Sequence, residues 1–233
     1  MFCACREAIW RLDRASLMPR ALFAGGPGVC DLLCSADGTY LYALCAEADS
    51  LLMLDAKTGD MLLLNRAGVN PRHMVICGGM LAVAGGEEGS VLLFDSVTLR
   101  IEACLYMPGP VYSVALDGKR VHALCLTPTL SSLLVTVNPG GDRLLLPLPG
   151  MPGRLLHCGN VLLAGTQDAL HVISPDGGCC LYRRRAPGRP AWVENTENGL
   201  LWLDLCSERL FLFSASGWQG IGSNVGAAAI AKE

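Results

Sequence analysis

Prolines recur along this chain about every 40 residues, and this spacing constrains the fold more than any other feature. The recurring positions are Pro27, Pro71, Pro110, Pro152 and Pro190, separated by 38 to 44 residues. A fixed period of about 20 to 50 residues is typical of repeat architectures, in which each unit buries its apolar face against its neighbours. The chain is therefore predicted to consist of copies of one supersecondary unit.

Each proline precedes two short apolar runs joined by a polar or glycine-bearing turn. In the clearest copy the runs are residues 29–34 and 40–45, and Ser35-Ala36-Asp37-Gly38 forms the turn. Matching pairs follow at residues 73–77 and 80–84, 111–116 and 120–125, and 155–158 and 161–164. Short apolar runs separated by such turns indicate β-hairpins.

Two further apolar runs complete the unit. In the first full copy they are residues 50–55 and 60–64, and in the next copy they are residues 91–95 and 99–104. Asp55 and Asp95 close the third run in these two copies, and aspartate favours turns because its side chain bonds nearby backbone groups. Four short strands per unit predict a β-propeller blade, so the expected fold class is all-β.

The two ends of the chain set the number of blades. Residues 8–16 align with residues 50–58, while no first strand precedes them. The missing innermost strand is expected from residues 225–230, so that the C-terminal strand closes the N-terminal blade. This predicts a single β-propeller domain over residues 1–233 with six four-stranded blades. Five blades with a frayed terminus are the alternative.

Two turns carry a resemblance to a known repeat. Ser35-Ala36-Asp37-Gly38 and Leu54-Asp55-Ala56-Lys57-Thr58-Gly59 resemble the turns of YVTN-type β-propeller repeats, and the resemblance covers most of the chain. It implies the fold alone, because such repeats serve unrelated binding, enzymatic and surface roles. Copies after Pro110 depart from the pattern, since Asn138 and Ser174 stand where the aspartate is expected. No catalytic residue carries over.

Composition and charge exclude several classes of partner. Hydrophobic residues make up 52% of the chain and charged residues 17%, which suits one well-packed domain. The formal net charge of −3 gives no broad positive field, so no nucleic acid partner is expected despite Arg183-Arg184-Arg185. The chain lacks a secretory signal and a run of about 18 apolar residues, so no membrane contact and a bacterial-type cytoplasmic location are expected.

The twelve cysteines are interpreted as reduced thiols. Cys45, Cys125 and Cys206 are expected to end the second strand of their blades. Cys77 and Cys158 are expected to end the first. Because equivalent positions in different blades stay apart, we expect small buried thiols in the blade cores, with no metal site and no cofactor. A secreted surface propeller with protected thiols is the alternative.

A candidate binding site follows from the fold. The innermost strands of a propeller line its central channel, and the residues that begin them ring one mouth. The candidate ligand-binding residues there are Asp31, Arg72, His73, Tyr112, Arg154, Trp192 and Glu194. Arginine and aromatic side chains bind anionic or aromatic small molecules through bidentate and stacking contacts. The alternative is a polar rim that only solvates the channel.

The motifs favour binding over catalysis. The sequence has no Gly-x-Ser-x-Gly elbow, no haem-attachment motif and no phosphate-binding glycine loop between a strand and a helix. The expected function is a noncatalytic interaction propeller, with a protein partner or a small anionic or aromatic ligand. The alternative is a hydrolase or lactonase-like enzyme at the channel mouth. Asp31, His73 and Glu194 would then supply a metal site or a base beside Arg72.

Overall fold

A computed structural model describes residues 1–5, 8–13, 16, 18–204, 206–207, 209–214, 216–222 and 229–231. These residues form 24 strands in six four-stranded antiparallel sheets, so the chain is a six-bladed β-propeller, as the repeat predicts. Over the same residues there is no helix with the length and apolar character that a membrane span requires. The strands fall into two compact units of three blades each, described in turn.

The first unit contains residues up to Tyr106 together with the C-terminal strand. Blade 1 consists, in sheet order, of β24 (Ala229–Ala231), β1 (Phe2–Cys5), β2 (Ala8–Leu12) and β3 (Pro19–Ala24). Blade 2 consists of β4 (Val29–Cys34), β5 (Tyr40–Cys45), β6 (Ser50–Asp55) and β7 (Met61–Arg66). Blade 3 consists of β8 (His73–Cys77), β9 (Met80–Ala84), β10 (Ser90–Asp95) and β11 (Ile101–Tyr106). The first strands of successive blades contact one another, which makes them the innermost strands.

The second unit repeats this arrangement three times. Blade 4 consists of β12 (Val111–Leu116), β13 (Val121–Leu126), β14 (Ser132–Val137) and β15 (Arg143–Leu148). Blade 5 consists of β16 (Pro152–Cys158), β17 (Val161–Thr166), β18 (Ala169–Ile173) and β19 (Cys180–Arg185). Blade 6 consists of β20 (Pro190–Thr196), β21 (Gly199–Asp204), β22 (Leu210–Ser214) and β23 (Gly217–Gly222). Here β16 contacts both β12 and β20.

The C-terminal strand completes the N-terminal blade. β24 pairs antiparallel with β1, with Cys3 opposite Ile230 in the register. The predicted closure is therefore confirmed, although the strand comprises Ala229–Ala231 and residues 225–228 lie outside the described residues. The pairing covers the edge of β1 that would otherwise be open to pairing with another chain.

A single turn shows how the repeat sequence builds one blade and packs it on the next. Asp55 Oδ1 accepts hydrogen bonds of 2.8 Å from the backbone N–H groups of Lys57 and Thr58, which shapes the turn between β6 and β7. Gly59 follows with a φ of 81°, and a Cβ there would overlap the ring of Phe23 in β3. Glycine meets both demands, so this turn also fixes how closely blade 1 approaches blade 2.

The core lies between neighbouring blades. Phe2, Ile9 and Phe23 of blade 1 pack in one buried cluster with Leu41 and Leu54 of blade 2. Similar clusters join blades 2 and 3, blades 4 and 5, and blades 5 and 6. Because both faces of the middle strands are covered, β6 and β10 are continuous apolar runs that are buried except at their final aspartate.

Candidate functional site

A β-bulge stands at the start of the innermost strand in four blades. The register shifts between Val29 and Asp31 in β4, Val111 and Ser113 in β12, Pro152 and Leu155 in β16, and Pro190 and Trp192 in β20. A bulge inserts an extra residue and changes the direction of nearby side chains. The predicted site residues in these strands therefore depart from simple strand alternation.

Asp31 joins the innermost strands of blades 2 and 3. Its Oδ2 accepts a hydrogen bond of 2.9 Å from the backbone N–H of Met74 in β8, and its Oδ1 accepts one of 3.2 Å from the N–H of Leu32. The residue is 7% exposed, and a carboxylate at that depth requires such partners. Asp31 is thus a structural link between two blades.

Two other predicted site residues lie in the same unit. His73 approaches Asp31, with 3.9 Å between Nε2 and Oδ2, which is longer than a hydrogen bond. Arg72 Nη2 lies 4.0 Å from Oε1 of Glu87 in the turn between β9 and β10. Because these side chains are 33% and 59% exposed, the ion pair contributes at most about 1 kcal/mol. The structure therefore brings Asp31 and His73 together, and it pairs Arg72 with an acidic turn residue.

Links between innermost strands recur in the second unit. Ser113 Oγ accepts a hydrogen bond of 2.9 Å from the N–H of Leu155 in β16. Ser113 follows the bulge in β12 as Asp31 follows the bulge in β4. Each side-chain oxygen accepts a hydrogen bond from a backbone N–H of the next innermost strand. The predicted residue Arg154 donates from Nε to the carbonyl oxygen of Ala191 in β20.

Arg189 belongs to this region although sequence reasoning did not identify it. Its Nε donates a hydrogen bond of 2.8 Å to the carbonyl oxygen of Pro152, and its guanidinium carbon lies 5.0 Å from the ring centroid of Tyr112. The residues before the other repeat prolines are Gly26, Asn70, Gly109 and Met151. Arg189 is the only charged residue among those that precede the repeat prolines, and this difference could have identified it from the sequence.

Trp192 and Glu194 complete the predicted set. They are two residues apart on β20 beyond its bulge, so their side chains point to the same face, and both are half-buried. Of the seven predicted residues, the structure places Asp31, Arg72 and His73 in the first unit. Those in the second unit are Tyr112, Arg154, Trp192 and Glu194.

The thiols only partly follow the prediction. Cys34, Cys45 and Cys125 are buried, as expected. Four others are exposed: Cys104, Cys179, Cys180 and Cys206. Cys104 and Cys180 stand on outermost strands, and Cys206 lies in the turn beyond β21 instead of ending it, so none is enclosed between blades. Among the described residues, no group of three or more His, Cys, Asp or Glu side chains is placed to hold a metal ion.

Two histidines are buried in the second unit. His122 Nδ1 lies 2.9 Å from Thr136 Oγ1, and His171 Nε2 lies 3.1 Å from Thr166 Oγ1. Burial lowers the pKa of His122 to about 4 and the pKa of His171 to about 4. Both imidazoles are therefore neutral at pH 7 and able to accept a hydrogen bond at one nitrogen.

The outermost strand of blade 2 exposes a run of four consecutive large apolar side chains. Met61, Leu62, Leu63 and Leu64 are 62%, 44%, 38% and 62% exposed. Charged Asp60 precedes them, and Arg66 ends the strand with an ion pair of 2.8 Å to Glu88. Contiguous exposed apolar residues of this kind are a feature of interaction sites.

Comparison with known proteins bears on the fold. No family model and no curated protein matches the chain. Solved structures match, among them the WD40 repeats of RRP9, with a TM-score of 0.71 at 14% identity over 95% of this chain and 76% of the other. A chain of the nidogen/laminin complex matches with a TM-score of 0.71 at 12% identity, over 92% of this chain and 89% of that one.

Hydrazine synthase of Kuenenia stuttgartiensis also matches, with a TM-score of 0.68 at 14% identity over 91% of this chain and 69% of the other. At such low identity these likenesses show the fold alone. The YVTN type of the repeat stays a prediction, since none of these matched structures is described as a YVTN repeat protein. The comparisons agree with the topology, and the chain has the β-propeller fold that WD40 repeats also adopt.

Proposed function

We propose that the chain is a noncatalytic binding propeller that holds an extended segment of a protein partner along β7. The supporting observation is the exposed apolar run at residues 61–64. The other outermost strands of the first unit differ from it. β3 exposes one large apolar side chain, Leu22, and in β11 Glu102 and Cys104 separate the exposed Ile101 and Tyr106.

The geometry of β7 favours a strand as the occupant. β7 is an edge strand, so alternate backbone N–H and C=O groups point away from β6. Leu63 and Leu64 pair with Met53 and Leu52 in succession, so their side chains point to opposite faces of the sheet. An added strand would bond the edge and cover both faces together, which is the binding mode of β-strand addition. A flat docking surface would cover one face.

The charges beside β7 narrow the chemistry of the partner. Antiparallel pairing of β7 with a second copy, centred on Leu63, would place Arg66 opposite Asp60. Arg66 already binds Glu88 across 2.8 Å, so this attraction would compete with an existing ion pair. We therefore propose a different protein, with a short apolar segment that carries a basic residue beside Asp60.

Site-specific photocrosslinking tests the proposal. A photoreactive residue at position 64 in the cells that express the chain should capture a partner, and the same residue at position 102 of β11 is the matched control. The captured protein is then purified and its Kd for the chain is measured. Leu64→Lys should raise that Kd at least tenfold, whereas Ile101→Lys on β11 should leave it within about twofold. The tenfold rise in Kd for Leu64→Lys corresponds to a loss of about 1.4 kcal/mol or more of binding free energy.

Three outcomes would overturn the proposal. One is capture at position 64 of the chain itself and nothing else, which would make β7 an interface between copies. Another is equal capture from positions 64 and 102. The third is a purified partner whose Kd is unchanged by Leu64→Lys while the variant keeps its unfolding midpoint.

A second candidate is a small anionic or aromatic ligand at the starts of the innermost strands. In the second unit, Arg154 and Arg189 both stand beside the strand starts that carry Tyr112 and Trp192, and Arg189 stacks on Tyr112. Benzoate and inorganic phosphate are suitable probes, titrated by calorimetry. Arg154→Ala should abolish binding and the exposed Arg100→Ala should not. Equal binding by wild type and Arg154→Ala would exclude this site.

A further inference from the structure

We propose that Cys180 is a reactive thiol of the second unit, a site that hydrogen peroxide oxidises or an alkylating electrophile modifies, with His171 as its proton acceptor. Cys180 begins β19 and is exposed. His171 lies on the neighbouring strand β18 and is 1% exposed. The juxtaposition of an accessible thiol and a buried imidazole carries this inference, which is independent of binding along β7.

The distances give the thiol two acceptors. Cys180 Sγ lies 3.3 Å from the carbonyl oxygen of Tyr182 and 4.0 Å from Nδ1 of His171. The carbonyl holds the thiol in place but cannot take its proton. The imidazole can, because a neutral histidine has one nitrogen with a free electron pair. A nucleophile beside a base that a third group orients is the arrangement found in thiol chemistry.

The contact with Thr166 bears on which nitrogen of His171 carries the proton. The Thr166 hydroxyl donates to the carbonyl oxygen of Ala169 at 3.4 Å and lies 3.1 Å from Nε2 of His171. Having given its own proton to Ala169, this hydroxyl accepts the proton on Nε2. Nδ1 is then unprotonated and faces Cys180. Along this row of hydrogen bonds, Cys180 donates to His171, His171 donates to Thr166, and Thr166 donates to Ala169.

Burial and nearby charges set the protonation state of His171 before the reaction. Burial, with a smaller effect of Arg183 and against the opposing effect of Asp168, lowers the pKa of His171 to about 4, so the ring is neutral at pH 7 and one of its nitrogens carries a free electron pair. Once the thiol has given up its proton, the negative sulfur at 4.0 Å favours the protonated form of the imidazole. Arg183, the cross-strand partner of His171, adds a positive charge on the same strand pair.

The oxidation balances without another reagent. The thiol proton moves to His171 Nδ1, the sulfur attacks one peroxide oxygen, and the O–O bond breaks. The departing hydroxide takes the proton from the imidazolium and leaves as water. Cys180 becomes a sulfenic acid, so sulfur is oxidised by two electrons and the peroxide is reduced.

The chain offers a matched control in Cys104. This thiol is exposed on β11, the outermost strand of another blade, and the neighbouring strand β10 (Ser90–Asp95) contains no histidine. Rates are measured for each cysteine by mass spectrometry, with iodoacetamide for alkylation and with hydrogen peroxide plus dimedone for sulfenic acid. At pH 7 Cys180 should react at least fivefold faster than Cys104 with both reagents.

Two variants test the role of His171. His171→Gln should reduce the Cys180 rate to that of Cys104, and Thr166→Val, which keeps the shape of the side chain, should reduce it in part. Neither variant should change the rate at Cys104, and a change there would indicate that the variant has partly unfolded. Equal rates for Cys180 and Cys104 in the wild-type chain would overturn the proposal even if His171→Gln does not fold. An unchanged Cys180 rate in both variants would also overturn it.

Discussion

The guanidinium of Arg189 lies over the ring of Tyr112, with its carbon 5.0 Å from the ring centroid. Tyr112 belongs to β12 in blade 4, and Arg189 directly precedes β20 in blade 6. The same side chain donates a hydrogen bond of 2.8 Å from Nε to Pro152 in β16 of blade 5. One arginine therefore connects the innermost strands of three successive blades.

Replacement of Arg189 by alanine should lower the free energy of unfolding by about 2 kcal/mol. A cation–π contact at a partly buried site contributes about 1 kcal/mol, and a hydrogen bond from a charged group contributes a similar amount or more. Arg189→Lys should recover less than half, because an ammonium group has no planar face to stack. Urea unfolding measures the loss, with the exposed Arg100→Ala as control. A change below about 0.3 kcal/mol in Arg189→Ala would contradict this role.

Asp31→Ala should destabilise the chain more than Ser113→Ala. Each change leaves a backbone N–H between blades without its side-chain acceptor, at Met74 and Leu155 respectively. The bond to a carboxylate contributes about 1.5 to 3 kcal/mol, whereas the bond to a hydroxyl contributes about 1 kcal/mol. Asp31→Asn keeps one acceptor oxygen and should fall between them. The three free energies come from urea unfolding, and a larger loss in Ser113→Ala than in Asp31→Ala would contradict this prediction.

The repeat made the blades predictable because the same local chemistry recurs in each copy. Asp55 and Asp95 shape turns through their carboxylates, and Gly59 supplies a positive φ. These features act over three or four residues, so they are visible in the sequence. The closure by β24 was also predictable, because counting strands left one position in blade 1 unfilled.

The site was less predictable because its contacts join residues that are far apart in sequence. The bulges re-aim Asp31 and Trp192, and no periodic pattern marks them. The sequence placed Asp31 at the start of its strand, but it did not show that the Asp31 oxygens accept hydrogen bonds from backbone groups of two strands. Arg189 was missed because it precedes Pro190, whereas all the candidate residues follow the repeat prolines. Cys180 stands opposite Ile173 and contacts His171 diagonally, and strand assignment alone does not give this register.

Tyr42→Phe should lower the free energy of unfolding by about 1 kcal/mol. The buried Tyr42 hydroxyl donates a hydrogen bond of 2.6 Å to the carbonyl oxygen of Ser96 in the next blade. Burial raises the pKa of Tyr42 to about 12, so the donor keeps its proton at any pH used for the measurement. Tyr40→Phe on the same strand is the control, and an equal loss in both variants would assign the effect to general packing. Urea unfolding at pH 7 distinguishes the two results.

Stability should fall as the pH is lowered from about 6.5 to about 4. Burial lowers the pKa of both His122 and His171 to about 4, whereas an unfolded histidine titrates near 6.5. Between these values the unfolded chain binds protons at both residues and the folded chain does not, so acid favours unfolding. Each histidine contributes a slope of about 1.4 kcal/mol per pH unit.

The turn carboxylates act in a lower window, which separates their effect from that of the histidines. Hydrogen bonds from Ser35 and Thr39 lower the pKa of Asp37 to about 2, so its contribution is lost only below about pH 4. Urea unfolding at pH 7, 6, 5 and 4.5 gives the histidine slope directly. His171→Gln should halve it, since one of the two proton-binding differences is removed. A free energy of unfolding that stays constant from pH 6.5 to 4.5 would mean that both imidazoles take up protons in the folded chain over the same range as in the unfolded chain.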